Sequence, residues 1–233
     1  MRRPRGSFLG AAGPSPIPDF APERPAAWTA SKGTAVQRGL TLGLLLIGLG
    51  FMGAWTWEQV DTRLYQRSAG SRLAAMQARA ASTATAERGS ARKGTPGARS
   101  PIRAGDPIGR IDIGRVGLSA IIAEGDDPRT LRRAVGHVPS TPLPGDDGNV
   151  VLAGHRDTFF RALRTVEKGD HIRVTTPDEQ VVYEITSIEI VGPEETDVMW
   201  PTKERSLTLI TCYPFHYIGP APDRYVVRAR QVD

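Results

Sequence analysis

The sequence predicts an all-β globular domain, a barrel or a sandwich, that follows one membrane-spanning helix and a flexible linker. Three observations support this prediction. Residues 39–57 are an uncharged apolar run, and residues 68–100 contain almost no large apolar side chains. From residue 102 onward, short β-branched runs alternate with Gly, Pro and Asp. Runs of this kind are typical of β-strands joined by turns.

The apolar run between Arg38 and Glu58 contains nineteen uncharged residues. A helix of that length spans roughly 30 Å, which is the hydrocarbon thickness of a bilayer. Trp55 and Trp57 lie at its far end, where interfacial aromatic residues are expected. One alternative is a buried core helix, which is uncommon without a polar face. Another is a cleaved signal peptide, but no small-x-small cleavage site follows the run. We therefore expect an uncleaved signal anchor over 39–57.

The flanks of the anchor predict its orientation and the nature of the next segment. Six basic residues precede the anchor: Arg2, Arg3, Arg5, Arg24, Lys32 and Arg38. They favour a cytoplasmic segment 1–38, with the rest of the chain outside the cytoplasm. Residues 68–100 cannot bury enough apolar surface to offset the entropy of ordering. Residues 58–101 are therefore predicted to be a flexible linker, with some helix at 73–81.

The basic charge of the chain lies in its N-terminal part. The net charge of the chain is +5. Residues 1–101 hold 14 basic and 5 acidic residues, whereas residues 102–233 hold 16 basic and 20 acidic residues. A mildly acidic globular part argues against a folded nucleic-acid-binding domain.

The single cysteine, Cys212, excludes an intramolecular disulfide framework and zinc sites built on two or four cysteines.

Seven short runs between residues 102 and 233 are predicted to be strands. They cover residues 108–113, 118–125, 149–155, 171–176, 180–192, 207–212 and 224–232. Short helical turns are expected at 127–134 and 158–165, with Asp127 and Asp157 or Thr158 as capping candidates. A domain of about 130 residues is large enough for one hydrophobic core.

Three residues lie at the ends of predicted strands, where scaffolds display functional groups. His155 ends NVVLAGH, Cys212 ends SLTLITC, and Arg224 opens the last strand twelve positions later. A thiolate nucleophile, an imidazole that carries protons and a guanidinium donor supply the groups that acyl transfer needs. Each residue also has a structural interpretation: an inert buried cysteine, a satisfied core histidine and an arginine paired with Asp223.

The residues alone leave two further alternatives open. His137, His171 and His216 compete with His155 for the catalytic role, although the first two have structural positions. Metal binding by His155, Cys212 and an acidic residue has no recognisable ligand spacing. The sequence therefore predicts no metal and no cofactor.

At these residues the sequence resembles the sortases, the membrane-anchored cysteine transpeptidases of bacterial surfaces, and it is most similar to the class D group. The resemblance covers roughly residues 107–232 and rests on LAGHRDTFFRAL, TLITC and DRYVVRA, in that order. It implies an eight-stranded β-barrel with Cys212 as the nucleophile. It also implies His155 as the general acid and base, and Arg224 as the stabiliser of the oxyanion. Thr211 matches a family position that lines the substrate site.

The resemblance also implies a reaction and its partners. Sortases cleave a C-terminal sorting signal of the LPXTG type on a secreted protein and hold the acyl part as a thioester. They then transfer it to an amine on the cell envelope or on a pilin subunit. The loops 191–201 and 213–222 are the expected walls for the Leu and Pro of the signal. Two alternatives remain: a non-catalytic, membrane-tethered β-barrel that binds an envelope partner, and an L,D-transpeptidase, whose Ser/His-x-Gly-Cys signature does not occur in the sequence.

Overall fold

The computed structural model of the chain describes residues 33–89 and 101–232. Most of the predicted cytoplasmic segment, 1–38, lies outside the described residues. The last part of the predicted linker, 58–101, lies outside them as well.

The chain divides into two compact units, residues 1–50 and 51–233. The described part of the first unit is the beginning of helix α1, Gly33–Gly89. The second unit contains the rest of α1 and a β-barrel.

Eight strands form the barrel, and seven of them correspond to the predicted runs. They are β1 Pro107–Ile113, β2 Leu118–Glu124, β3 Val135–His137, β4 Asn149–Ala153, β5 His171–Thr175, β6 Gln180–Val191, β7 Ser206–Tyr213 and β8 Asp223–Val232. They close in the order β1-β2-β3-β4-β7-β8-β6-β5. The structure therefore confirms the eight-stranded barrel and excludes a sandwich.

The short elements between the strands include one strand that the sequence did not predict. This strand, β3, has only three residues and shows no alternation that a sequence pattern reveals. The predicted turn at 127–134 is helix α2, Pro128–Arg133, and the Asp127 carboxylate caps it as expected. Three 3₁₀ helices complete the connections: Gly114–Val116, Phe159–Thr165 and Thr196–Met199.

Alternate residues of each strand point into the barrel, and these inward residues are mostly apolar. Ile111, Leu152, Leu209 and Val227 are fully buried in one core cluster that draws on most of the strands. Tyr183 lies in the same cluster, and its burial raises the pKa of its hydroxyl to about 12. The packed core makes the barrel a rigid support for the loops at its ends.

The N-terminal part of helix α1 is a candidate membrane span. Within Gln37–Ser82, an apolar window reaches a mean hydropathy of 1.6, and none of that window is buried. The large apolar side chains of the predicted anchor, such as Leu44, Leu46 and Phe51, are all exposed. The length and composition of the helix therefore agree with the predicted span over 39–57.

Helix α1 continues to Gly89, so residues 58–89 are helical where a flexible linker was expected. The segment is rich in Ala and Arg, which are good helix formers. Ala69 and Leu73, four residues apart, lie on one face of the helix and are buried against Ile121 of β2. This narrow stripe provides apolar burial although large apolar residues are few.

Polar contacts also join the helix to the barrel. The Gln66 side chain accepts the backbone N–H of Ile121 at 2.9 Å and donates to the carbonyl of Arg133 at 2.7 Å. Strand β2 pairs with β3 only from Ile122 onward, so Gln66 provides Ile121 with the acceptor that a neighbouring strand would supply. Asp61 forms an ion pair with Arg133 at 2.6 Å. The helix thus docks through both apolar and polar contacts.

Two more hydrogen bonds lie along the same contact between helix α1 and the barrel. The Tyr65 hydroxyl donates to the carbonyl of Gly105 at 2.8 Å, and the Gln77 amide donates to the carbonyl of Thr176 at 2.9 Å. From Asp61 to Gln77 the contact therefore runs over roughly four helical turns.

Arg115 connects three parts of the barrel wall. Its guanidinium donates to both carboxylate oxygens of Asp170 and to the carbonyl of Thr165. Asp170 also accepts the backbone N–H of Glu167 at 2.8 Å. These hydrogen bonds, that of Arg115 foremost, lower the pKa of Asp170. They hold the end of the Phe159–Thr165 helix beside the start of β5.

The Gln66 contact predicts that Gln66→Leu loosens the docked helix by about 1–3 kcal/mol, because the Ile121 N–H and the Arg133 carbonyl both lose a partner. Hydrogen exchange of the Ile121 amide in the detergent-solubilised full chain measures the effect. Arg63→Leu, at an exposed position of the same helix, is the control. Equal protection of the Ile121 amide in both variants would contradict the prediction.

The lowered pKa of Asp170 predicts a pH-dependent contribution to stability. The folded chain binds this proton less tightly than the unfolded chain, whose Asp pKa is about 3.9. The stabilisation is therefore complete above that value and disappears as the pH falls through the folded pKa. We expect Asp170→Asn to lower the free energy of unfolding at neutral pH, with a difference from wild type that narrows in acid.

Chemical denaturation across the pH range measures this difference. Asp126→Asn, which alters an exposed carboxylate, is the control. A difference between Asp170→Asn and wild type that stays constant down to about pH 3 would show that the ionised carboxylate is not responsible.

Candidate active site

Three neighbouring strands bring His155, Cys212 and Arg224 to one end of the barrel. Strands β4 and β7 are parallel, with Ala153 opposite Ile210. His155 lies two residues beyond the first of these, and Cys212 lies two residues beyond the second. Strands β7 and β8 are antiparallel, with Cys212 opposite Arg224. The structure therefore places all three sequence-predicted residues at the same end of adjacent strands.

Cys212 and Arg224 project from the same face of the sheet, because directly opposite residues of an antiparallel pair have Cβ atoms about 5 Å apart. Both are half-buried, and the cysteine is free. The guanidinium of Arg224 donates to the carbonyls of Asp223 at 3.0 Å and Ala221 at 3.3 Å. Its contact with Asp223 is thus to the backbone. A guanidinium held in this way stabilises a nearby thiolate or oxyanion.

Thr211 fixes the backbone that carries His155. Its hydroxyl donates to the carbonyl of Gly154 at 2.7 Å, and the Gly154 N–H donates to the carbonyl of Ile210 at 3.2 Å. The Thr211 side chain is only 2% exposed. The structure therefore assigns this hydroxyl to the support of the histidine segment, whereas the family resemblance implies a place in the wall of the substrate site.

Gly154 allows the segment before His155 to pack closely on the next helix. A Cβ atom at this position would lie 2.8 Å from the ring of Phe160, which is fully buried. The Phe160 N–H donates to the carbonyl of His155 at 3.1 Å. The backbone of His155 is therefore held on one side by β7 and on the other by the Phe159–Thr165 helix.

Arg156 is a site residue that the sequence analysis did not single out. Its guanidinium donates to the carbonyls of Pro214 at 3.1 Å, Tyr217 at 2.7 Å and Gly219 at 3.0 Å. It also lies 5.9 Å from the centre of the Tyr217 ring. Arg156 thus holds the loop between β7 and β8, which is the predicted wall 213–222. The only signal in the sequence is its place beside the candidate histidine, in the triplet GHR.

An aromatic cluster forms the base of this loop. The rings of Tyr213, Phe215 and Tyr225 lie 5.1 to 6.1 Å apart. Burial, together with the neighbouring Tyr213, raises the pKa of Tyr225. The cluster gives the loop an apolar surface at the end of the barrel that carries Cys212.

The second predicted wall, 191–201, lies only partly at this end. It begins at Val191, which is opposite Arg224 in the β6–β8 pair. The amide of Asn149 donates to the carbonyls of Val198 at 3.1 Å and Trp200 at 3.2 Å. Asn149 is the first residue of β4, so the later part of this loop lies at the opposite end of the barrel.

The other histidines occupy different positions. His137 is 1% exposed and contacts the carboxylate of Glu124 at 2.8 Å and the carbonyl of Pro142 at 2.9 Å. His171 opens β5, and His216 is exposed in the loop between β7 and β8. Among residues 33–89 and 101–232, no group of three His, Cys, Asp or Glu side chains is arranged to hold a metal ion.

Comparison with known proteins gives one consistent family. The family model of the sortase domain matches residues 111–232. Sortase D of Bacillus subtilis is 37% identical over 129 residues, which are 55% of this chain and 65% of that protein. Sortase SrtE1 of Streptomyces coelicolor is 33% identical over 141 residues, which are 52% of this chain and 39% of that protein. The chain thus spans less than two thirds of either relative.

Solved structures show the same similarity. The sortase D5 transpeptidase of Clostridium perfringens superposes with a TM-score of 0.53 at 35% identity, over 57% of this chain and 83% of that chain. Sortase C of Clostridium perfringens SM101 gives a TM-score of 0.52 at 27% identity, over 57% of this chain and 73% of that chain. Since the family model covers more than half of the chain and includes residues of all eight barrel strands, the chain belongs to the sortase family.

Proposed function

We propose that this chain is a membrane-anchored cysteine transpeptidase that cleaves an LPXTG-like C-terminal sorting signal and transfers the acyl part to an amine. The observation that carries the proposal is the register of β4, β7 and β8. It pairs Cys212 with Arg224 and places His155 at the end of the adjacent parallel strand. Membership of the sortase family supports the same chemistry.

Acylation begins at Cys212. Its thiolate attacks the carbonyl carbon of the signal's threonine, the S–C bond forms, and the carbonyl oxygen becomes an oxyanion. Arg224, opposite the cysteine, favours the thiolate and donates hydrogen bonds to the oxyanion. Removal of one such donor costs about 3 kcal/mol of transition-state stabilisation in other enzymes.

His155 transfers protons in both halves of the reaction. As imidazolium it donates a proton to the leaving amine when the C–N bond breaks, and the thioester remains on Cys212. As a neutral base it then takes a proton from the incoming amine, whose nitrogen attacks the thioester. A new amide forms and the thiolate leaves. One residue serves both steps because each ends in the protonation state that the next requires.

Thr211 and Arg156 act as positioning residues in this proposal. Thr211 holds the Gly154 carbonyl, one residue before the histidine. Arg156 holds the loop whose aromatic base faces the cysteine end of the barrel. Both act through backbone carbonyls, so their loss displaces catalytic or substrate-binding groups without removing them.

The proposed location is the cell membrane, with the N-terminus in the cytoplasm and the catalytic barrel outside. The apolar part of α1 and the basic residues before it support this orientation. The substrates are then secreted proteins with a C-terminal sorting signal, and the acceptor is an amine of the cell envelope or of a pilin. The sequence contains no second cysteine with which Cys212 could form an intramolecular disulfide.

The proposed roles predict clear effects of substitution at the reacting residues. In the detergent-solubilised full chain with a sorting-signal peptide library, we expect a covalent thioester adduct by mass spectrometry, and none from Cys212→Ala. Arg224→Lys should lower kcat/KM by roughly 100-fold, because Lys lacks the planar fork. Arg228→Lys in the same strand is the control. If no peptide is cleaved in a Cys212-dependent way, the proposal fails.

The buried hydroxyl of Thr211 predicts a second pattern. Thr211→Val leaves the Gly154 carbonyl without its donor, so we expect a loss of about 1–3 kcal/mol in the free energy of unfolding. We also expect a fall in kcat larger than any rise in KM, because the histidine moves and the substrate wall does not. Thr211→Ser restores both quantities. A variant that raises KM alone would instead indicate direct contact with the substrate.

A further inference from the structure

A cleft of about 930 Å³ opens beside His155, and neither Cys212 nor Arg224 lines it. One wall comes from the docked helix α1, through Gln59 and Thr62. Its volume lies within the range of small-molecule sites, roughly 300–1,000 Å³. His155 is therefore shared between this cleft and the end of the barrel that carries the thiol.

The cleft is basic although its domain is acidic. Arg132, Arg161 and Arg164 line it, against a single carboxylate, Asp157. All three arginines are exposed, and within residues 33–89 and 101–232 none of them forms an ion pair. Residues 102–233 as a whole hold 16 basic and 20 acidic residues. The cleft thus attracts anions although the domain as a whole carries more acidic than basic residues.

Two of the arginines lie on one short helix whose backbone is held by other contacts. Arg161 and Arg164 are three residues apart in the Phe159–Thr165 3₁₀ helix, so they lie on the same face of that helix. The Arg115–Asp170 pair holds the C-terminal end of the helix through the carbonyl of Thr165. Arg161 and Arg164 therefore belong to a helix whose position on the barrel wall is held by other contacts.

We propose that this cleft binds the acceptor and selects an amine whose carrier has an anionic group, a carboxylate or a phosphate, close to it. The inference rests on the proposed function, in which His155 takes a proton from the incoming amine. An acceptor in the cleft presents its amine to His155, while Cys212, which does not line the cleft, carries the acyl part as a thioester. Its nitrogen then attacks the thioester carbonyl, the amide forms, and the thiolate leaves.

The test compares acceptors that carry an anionic group with acceptors that lack it. Triglycine is compared with triglycinamide, and aminoethyl phosphate with ethanolamine, in the full chain with a cleaved donor peptide. We expect Arg161→Glu with Arg164→Glu to lower kcat/KM for both charged acceptors by about tenfold and to leave the neutral ones unchanged. A larger effect on triglycine indicates a carboxylate carrier, and a larger effect on aminoethyl phosphate indicates a phosphate carrier.

Lys203→Glu, an exposed substitution beside the start of β7 at the opposite end of the barrel, is the control for a charge reversal away from the cleft. The preference for charged acceptors should also disappear at an ionic strength of about 1 M, where the Debye length is roughly 3 Å. Equal losses for charged and neutral acceptors, or no loss at all, would overturn the proposal.

A binding measurement separates this inference from the proposed function. Triglycine is titrated into the full chain carrying Cys212→Ala, with and without the two arginine substitutions. A dissociation constant about tenfold weaker in the triple variant supports the cleft even if no donor peptide is cleaved. Equal affinities, with donor cleavage intact in the parent chain, overturn the cleft and leave the transpeptidase proposal standing.

Discussion

The register of β4, β7 and β8 is the constraint on which the whole candidate site depends. A slip of one residue between β7 and β8 would turn Arg224 to the other face of the sheet from Cys212. The register is fixed by burial of the apolar residues Leu207, Leu209 and Val227, not by an attraction between the two functional groups. Cys212 and Arg224 therefore lie opposite each other as a consequence of core packing and barrel closure.

The histidine depends on a different kind of support, because β4 ends at Ala153 before His155 is reached. Beyond the regular ladder, its backbone is held by the Thr211 hydroxyl on the Gly154 carbonyl and by the N–H of Phe160. The first hydrogen bond holds the carbonyl just before the histidine, and the second holds the carbonyl of the histidine itself. The backbone of the irregular segment that carries His155 is thus held by hydrogen bonds on both sides.

The sequence predicted the strands and the three candidate reacting residues because both are local patterns. It did not predict β3, which has too few residues for alternation. The hydrogen bond from Thr211 to Gly154 joins residues far apart in the chain, so no local pattern reveals it. Of the helix over 58–89, only residues 73–81 were predicted, for the same reason: Ala69 and Leu73 contribute apolar burial only when Ile121 lies against them.

The docked helix also has a consequence for the solution behaviour of the barrel. Strand β2 pairs with β3 only over Ile122–Glu124, so the residues before Ile122 form a short open edge on that side. An uncovered edge is a template for strand addition by another molecule and hence for aggregation. With Gln66 bonded to Ile121, the docked part of the helix covers the last N–H of that edge. It therefore leaves a neighbouring copy fewer free backbone groups on β2 with which to pair.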